Sequence, residues 1–255
     1  MLRAPRISII IVGSEILKGI IQDTNSHWLA RNLTEMGFNV VRIIVVPDNY
    51  EDIAWAVKES LNVSDILITT GGLGFTKDDM TLEAIAKTLG LKLVLNLEAL
   101  DMIKRKVGEN IASYLKAAYL PETSKPLFNP VGVSPGVYLD IMGKKMFILP
   151  GVPSEMMKMF EDQVKAVLVS VLKQYSARII IVTDHEKERE VDERISEIRA
   201  KYSDAYFKTH ASTPVQLSVV ISSSSTIELE NKVNEILSKL REVIRIRDVI
   251  VEKKE

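Results

Sequence analysis

Thr69-Thr70-Gly71-Gly72-Leu73-Gly74-Phe75-Thr76-Lys77-Asp78-Asp79-Met80-Thr81 is the stretch on which the fold turns. It continues an apolar run, Asp65 to Thr70, that reads as a strand. It leads into Leu82, Ile85, Ala86 and Leu89, which share one helical face ahead of Gly90. A strand passing through a short glycine-rich turn into a helix is the unit from which parallel sheets are built. Three glycines in four residues let the backbone approach a ligand and turn N–H groups toward an anion, and the helix start beyond adds partial positive charge. The expected guest is a phosphate or diphosphate. A tight β–α turn that merely needs one or two of these glycines is the plainer use of the same residues.

Outward from this stretch the same unit recurs. Ile7 to Val12 is a continuous β-branched run, as expected of a strand buried on both faces. Asn25 to Met36 carries Trp28, Leu29, Leu33 and Met36 on one side and ends at Gly37, a left-handed stop. Val40 to Val46 is a second strand, followed by a helix from about Asp52 with Ile53, Ala56, Val57, Ser60 and Leu61 on a common face. Repeated strand and helix with short connections predict right-handed crossovers in a three-layer α/β/α sandwich with a mostly parallel sheet. Glu98 to Lys116 reads as helical. Pro121 to Gly136, with four prolines and two glycines, reads as a long ordered loop near the site. Gly136 to Pro150 predicts two strands turning at Met142-Gly143-Lys144, and Ser154 to Leu172 an amphipathic helix.

Beyond Ala177 the pattern becomes strand (Arg178 to Thr183), helix (about Glu188 to Lys201), strand (Ala205 to Thr209), strand (Val215 to Ser222), helix (Ile227 to Leu240) and strand (Val243 to Val251). This βαββαβ order predicts a small α+β domain with an antiparallel sheet. The expected division is residues 1–173 and 177–255. Ser222 to Ser225 reads as a strand end and helix cap.

Composition narrows the function. The 33 basic and 34 acidic residues give a formal charge of −1, with no long run of like charge, so neither a nucleic acid nor a membrane is the expected partner. The absence of cysteine excludes disulfides, thiolate metal sites and a cysteine nucleophile. No apolar stretch reaches the roughly 18 residues of a membrane span, and the start reads as a strand rather than a leader, so a cytoplasmic address is expected. His27, His185 and His210 form no metal-spaced pair, and neither a GxSxG, a Walker A nor a GxGxxG pattern occurs.

Candidate site residues cluster where strands give way to helices, the edge at which open α/β sheets bind ligands. Gly13-Ser14-Glu15 follows the first strand, and Gln22-Asp23-Thr24-Asn25 opens the next helix, with Thr24 or Asn25 as its cap. Asp48 ends the second strand, where it is equally suited to a turn after Pro47. In the glycine-rich stretch, Asp78 and Asp79 either hold a divalent cation between carboxylate and phosphate or cap the helix. Leu149-Pro150-Gly151-Val152-Pro153-Ser154-Glu155-Met156 links strand to helix, with Ser154 as a possible cap and free N–H groups for an anion, or makes a purely structural turn.

Three of these motifs carry a resemblance. Gly13-Ser14-Glu15-Ile16-Leu17-Lys18-Gly19 with Asp23-Thr24-Asn25, Thr70-Gly71-Gly72-Leu73-Gly74 with Asp78-Asp79-Met80-Thr81, and the Leu149 to Met156 segment resemble, in order and spacing, the N-terminal domain of the competence/damage-inducible protein A (CinA) family. The resemblance covers about residues 5 to 170. That domain is shared with molybdopterin adenylyltransferases, whose glycine loop and aspartates correspond to Gly71, Gly72, Gly74, Asp79 and Asp48. It implies a pocket for a pterin or nucleotide phosphate, with molybdopterin as a candidate ligand, and a symmetric homo-oligomer. For some members it implies a metal-dependent pyrophosphatase acting on ADP-ribose or FAD. The family's C-terminal nicotinamide-mononucleotide deamidase is not expected here, since the tail looks like the small linking domain. Phe75 stands where the family usually has proline, Ser113 and Ala117 where it has Asn and Gln, and Gly132-Val133-Ser134-Pro135-Gly136 where it has Gly-Thr-Ala-Pro-Gly.

The expected function is thus a metal-assisted nucleotide pyrophosphatase. Gly71, Gly72 and Gly74 cradle the diphosphate, with Thr70, Thr76 and Thr81 around them. Asp78 or Asp79 positions Mg²⁺, Mn²⁺ or Co²⁺, and Lys116 or Lys77 steadies developing charge. Ser14, Glu15, Asp23, Asn25, Asp48, Pro150, Gly151, Ser154 and Glu155 complete the expected pocket. The rival readings are a molybdopterin-binding or adenylyl-transferring protein and a non-catalytic scaffold.

Overall fold

The computed structural model describes residues 4–76, 78–108, 110–172, 175–223 and 225–254. The chain divides into two compact units, Pro5–Arg31 with Asn39–Val171, and Asn32–Phe38 with the chain from Leu172 onward. The sequence did not suggest that Asn32–Phe38 would group with the second unit. Lys173 and Gln174, at the expected boundary, lie outside the described residues.

The elements of the first part of the chain are β1 (Arg6–Val12), α1 (Ser14–Leu17), α2 (Asn25–Glu35), β2 (Asn39–Val46), α3 (Tyr50–Val63), β3 (Ile66–Thr70), α4 (Thr81–Thr88), β4 (Leu93–Leu95), α5 (Leu97–Val107), β5 (Tyr119–Pro121), β6 (Lys125–Leu127), β7 (Gly136–Ile141), β8 (Lys144–Leu149), α6 (Pro153–Met159) and α7 (Lys165–Val171). Six strands form one sheet in the order β2-β1-β3-β8-β7-β6. Pairing is parallel from β2 through β8 and antiparallel for β8/β7 and β7/β6. The fold is the expected α/β class with a mostly parallel sheet.

Both faces of the sheet are buried, which explains why β1 and β3 are apolar without alternation. Ile10, Val12, Leu67, Val137, Leu139, Met146 and Ile148 form a core with Ile53, Ala56 and Val57 of α3 and Ala84 and Ile85 of α4. On the opposite face α6 lies over β7, where a side chain at Gly136 would strike Met159. Trp28 of α2 meets Phe160 edge-on at 5.2 Å between ring centroids. The helix starts are chemically specified: Asn49 accepts from the Asp52 N–H (2.9 Å) and Asn96 from the Ala99 N–H (2.9 Å). Gly37 and Gly90 take the left-handed backbone their positions called for, and Met142-Gly143 makes the tight β7/β8 turn with φ of 53° and 74°.

The middle of the chain differs from expectation. The helix read over Glu98 to Lys116 stops at Gly108, and Ala112–Ala118 forms a separate 3₁₀ turn. Pro121 to Gly136 is not one loop: β5 pairs with β4, β6 pairs with β7 at the sheet edge, and only the segment between β6 and β7 is irregular. Prolines sit at these edge positions because an edge strand leaves one side of its backbone without ladder partners. The helix from Pro153 is interrupted by a π turn at Phe160–Val164.

The second part is β9 (Tyr175–Thr183), α8 (Glu188–Arg194), α9 (Ser196–Lys201), β10 (Tyr206–His210), β11 (Gln216–Ser223), α10 (Thr226–Val243) and β12 (Ile246–Lys254). Its strands are antiparallel in the order β10-β11-β9-β12, the predicted split arrangement. Ile179, Ile181, Leu217, Val219 and Ile221 pack against Val191, Ile198, Leu229, Val233 and Ile236 in a core of their own. Ser225 caps α10, accepting from the Glu228 N–H at 3.1 Å. The single helix expected over 188–201 breaks at Ile195 into α8 and α9. Among the described residues no helix is long and apolar enough to cross a membrane.

Candidate functional site

The parallel strands β2, β1, β3 and β8 all end at one edge of the sheet, and the segments that follow them enclose an open cleft of about 1030 Å³. Ser14, Glu15, Asp23, Asn25, Asp48, Thr70, Gly71, Gly72, Gly74, Asp78, Asp79, Pro150, Gly151 and Glu155 all line it. Four of the expected residues are not in its lining, Thr76, Thr81, Lys116 and Ser154. Lys77 lies outside the described residues.

The floor of the cleft is a junction of strand ends. Gly71 donates its N–H to the Leu149 carbonyl (3.1 Å), joining β3 to β8 at its last residue. Its φ is +105°, and a methyl group there would run into the Val12 carbonyl oxygen. Thr70 Oγ1 donates to the Pro150 carbonyl (3.0 Å). Asn25 Nδ2 donates both to Thr70 Oγ1 (2.9 Å) and to the Gly151 carbonyl (2.8 Å), so one buried amide ties the start of α2 to two strand ends. Asn25 therefore does not cap α2. Asp23 does, accepting from the N–H of Ser26 (2.9 Å) and from its hydroxyl. Asn25→Ala is expected to cost about 2 kcal/mol through two lost donors. Asn25→Asp should cost more, because it adds a buried charge beside two oxygens and cannot donate. Urea midpoints of the two variants check the order, and an aspartate variant as stable as the native chain would refute the tie.

Asp48 and Ser14 bind each other reciprocally: Ser14 N–H donates to Asp48 Oδ2 (2.7 Å) and Asp48 N–H to Ser14 Oγ (3.1 Å). This latch joins the ends of β1 and β2. Glu155 accepts from Asn129 Nδ2 (2.7 Å).

The glycine loop is held from within. Asp79 Oδ1 accepts from the Gly74 N–H (2.8 Å), and Oδ2 accepts from the Thr76 N–H (2.8 Å) and the Thr76 hydroxyl. Both oxygens of Asp79 are thus engaged by the loop, a different use from the expected metal ligation, and neither aspartate caps α4, whose first turn follows Met80 without a side-chain cap. Lys116 Nζ donates to the Thr76 carbonyl (2.6 Å), bracing the loop from outside the cleft rather than facing it. Thr81 is fully buried behind the loop and donates to the Gly71 carbonyl (2.9 Å). Ser154 is exposed in the first turn of α6, after Val152 at the cap position and Pro153 at N1.

These bonds change which amides remain for a ligand. The N–H groups of Gly71 and Gly74 are taken by Leu149 and Asp79, whereas those of Gly72, Leu73 and Phe75 have no partner among the described residues. Leu73 as a residue is only 4% exposed, and backbone N–H groups without a partner are uncommon in a folded protein. Charge is the second feature. Among the described residues Glu15, Asp23, Asp48, Asp78, Asp79 and Glu155 line the cleft, with Lys18 as the one basic side chain beside them. Asp78 and Glu15 alone among these carboxylates have no hydrogen-bond donor among the described residues. No group of three or more His, Cys, Asp or Glu side chains converges as a metal cage among the described residues.

Sequence reading missed Asn129, and it named Phe75 and Val133 only as departures from the family pattern, not as residues of the cleft. Asn129 is 2% exposed: Oδ1 accepts from the N–H groups of Val131 (3.1 Å) and Gly132 (2.8 Å), and Nδ2 donates to the Ser134 carbonyl (2.9 Å) as well as to Glu155. It folds the 129–134 segment so that Gly132, Val133 and Ser134 line the cleft. An asparagine before Pro130 with glycine three residues on is the local signal for such a turn.

Comparisons with known proteins include this part of the chain. The profile of the probable molybdopterin binding domain family matches residues 8–170. A protein of Pyrobaculum calidifontis is 38% identical over 253 residues, 94% of this chain and 96% of that one. A CinA-like protein of Thermosipho melanesiensis is 37% identical over 246 residues, covering 92% of this chain and 57% of its own length. The crystal structure of CinA from Thermoplasma acidophilum, 43% identical, superposes with a TM-score of 0.62 over 64% of this chain and 98% of that one. The chain, whose residues 8–170 hold the cleft at the strand ends, belongs to the probable molybdopterin binding domain family and is CinA-like.

Proposed function

We propose that the cleft binds the diphosphate of a nucleotide or pterin as its divalent-metal complex and hydrolyses it, releasing a nucleoside or pterin monophosphate. The observation that supports this reading is the pairing of three amides, on Gly72, Leu73 and Phe75, that have no partner among the described residues with an acidic lining among those same residues. The amides suit phosphate oxygens. Among the described lining residues six carboxylates stand against one lysine, an excess of negative charge that favours a diphosphate entering with a cation that neutralises it.

The donor set fits such a metal in one form. A Mg²⁺ that keeps its own waters and takes one or two carboxylates plus substrate phosphates needs no protein cage, and Asp78, free and beside the loop, is the carboxylate that would hold it. Once bound, such an ion neutralises phosphate charge and lowers the pKa of a coordinated water. The protein's own part is to seat the diphosphate on the loop, hold the loop in shape through Asp79 and Lys116, and exclude wrong orientations by the narrow floor at Gly71 and Gly151. Hydrolysis would add a water oxygen to one phosphorus and break its bond to the bridging oxygen.

Release of AMP from ADP-ribose, FAD or NAD with Mg²⁺, Mn²⁺ or Co²⁺ is the test. Metal-dependent turnover that falls at least about tenfold in Asp78→Asn is expected. No turnover with any metal, or native turnover in Asp78→Asn, would overturn the hydrolase. A second reading, adenylyl transfer to or storage of molybdopterin, is favoured by the family match and by the engagement of Asp79 within the loop. Adenylated pterin as product, in place of free AMP, would establish it.

A further inference from the structure

One wall of the cleft is aromatic and apolar. Phe75 immediately follows the last loop glycine and lines the cleft, yet 42% of it is exposed. Its ring meets Tyr114 in a T-shaped contact, with centroids 4.5 Å apart and planes at 67°. Tyr114 is half-buried, packed with Val133 against the small core of Ile103, Ala117 and Ala118, and Val133 lines the cleft as well. Lys116, two residues beyond Tyr114 on the same 3₁₀ turn, anchors the loop through the Thr76 carbonyl. Phe75 is therefore held in place from its neighbour residue and from the ring beneath it.

A T-shaped pair engages one ring through its edge and leaves aromatic face free, and an exposed phenyl face gains by covering with another flat, polarisable surface. A ring fixed before binding loses little rotamer freedom when it is covered. Phe75 also shares its backbone with the phosphate seat, since its own N–H is one of the three free amides. Gly72 and Phe75 are three residues apart, at most about 11 Å along the chain, which is within the span of a single nucleotide. Diphosphate and ring of one ligand can occupy the loop and this wall together.

We propose that Phe75, backed by Tyr114 and Val133, stacks on the flat heterocycle of the phosphorylated ligand, so that the cleft selects ring-bearing diphosphates over ringless ones. The inference rests on the reading that the loop seats the diphosphate. Purine and pterin share the flat, nitrogen-rich ring that the wall recognises.

Calorimetric titration of the full chain in saturating Mg²⁺ with inorganic pyrophosphate, ADP and 6-hydroxymethylpterin diphosphate tests it, using native protein, Phe75→Ala, Phe75→Leu and Phe75→Tyr. At least one ring-bearing ligand should bind about tenfold more tightly than pyrophosphate, and whichever gains more identifies the ring. Phe75→Ala and Phe75→Leu should each bring the ring-bearing ligand to within about twofold of pyrophosphate measured on the same variant, while Phe75→Tyr retains the advantage. Leucine keeps apolar bulk, so equal losses in both variants separate stacking from packing. Equal binding of pyrophosphate and both ring-bearing ligands by the native chain would overturn the stacking wall and leave the phosphate seat standing. An unchanged advantage in Phe75→Ala and Phe75→Leu would do the same. Failure of all three ligands to bind would overturn the phosphate seat and the wall with it.

Discussion

Asp79→Asn is expected to lower the melting temperature by about 5 °C and to weaken ADP binding about fiftyfold, and the loss of stability should persist in EDTA. The carboxylate accepts three hydrogen bonds from Gly74 and Thr76. Asparagine offers one oxygen, and its amide then faces an N–H that needs an acceptor. Charge-assisted bonds contribute roughly 1.5–3 kcal/mol each, and the partial exposure of the loop argues for the lower end, so about 2–3 kcal/mol is lost. For a chain of this size that corresponds to several degrees. If the loop then has to be ordered by the ligand, the same free energy appears as roughly 30- to 150-fold in affinity. Differential scanning fluorimetry with and without EDTA separates the two uses of this side chain. A metal ligand leaves the metal-free protein as stable as the native one, whereas a loop staple does not. Native melting of Asp79→Asn in EDTA would therefore return Asp79 to the role of ligand.

Gly71→Ala is the second large effect, expected to cost about 4 kcal/mol and to melt about 8 °C below Gly90→Ala. At Gly71 two penalties add. The φ of +105° lies outside the region that side chains tolerate, a strain of order 1–3 kcal/mol. The new methyl also meets the Val12 carbonyl, backbone that belongs to the central strand and cannot yield. Gly151, whose own Cβ position is 3.2 Å from the Gly71 α-carbon, closes the site from the other side. Gly90 has a similar sign of φ, +71°, but open space around it, so alanine there costs only about 1 kcal/mol. Chemical denaturation of the pair measures the difference directly, and equal midpoints would show that the floor of the cleft is not close-packed. A destabilised but folded Gly71→Ala should also lose ligand, because Gly72 and Leu73 follow directly on the backbone that the new methyl displaces.

Legibility in the sequence followed the range of the interactions. β1, β3, α3 and α4 could be read because unbroken β-branched runs and 3.6-residue periodicity are local signals, and the βαββαβ tail because each element has its own apolar pattern. The ends of elements were legible where a cap or a left-handed stop sits in the chain itself, as at Gly37, Gly90 and Met142-Gly143. Glu98 to Lys116 was misjudged because Gly108 ends α5 while the apolar residues beyond it continue a helix-like spacing into the 3₁₀ turn. Pro121 to Gly136 looked like one loop because short edge strands carry prolines and depend on pairing partners distant in the chain.

The site divides in the same way. By itself the sequence determined the α/β class, the glycine-rich turn between β3 and α4, and the three motifs at strand ends, since composition and order along the chain suffice for these. Only the tertiary structure decided what each polar side chain does: that Asp79 and Lys116 hold the loop, that Thr81 supports it from behind, that Asn25 ties two strand ends, and that Asn129 and Phe75 belong to the cleft. A hydrogen-bonding side chain has several chemically acceptable partners, and sequence spacing cannot choose between a neighbour five residues away, as for Asp79 and Gly74, and one more than a hundred residues away, as for Asn25 and Gly151. The choice is made when the sheet brings its strand ends to one edge, because there each buried donor takes the acceptor that folding has placed within reach.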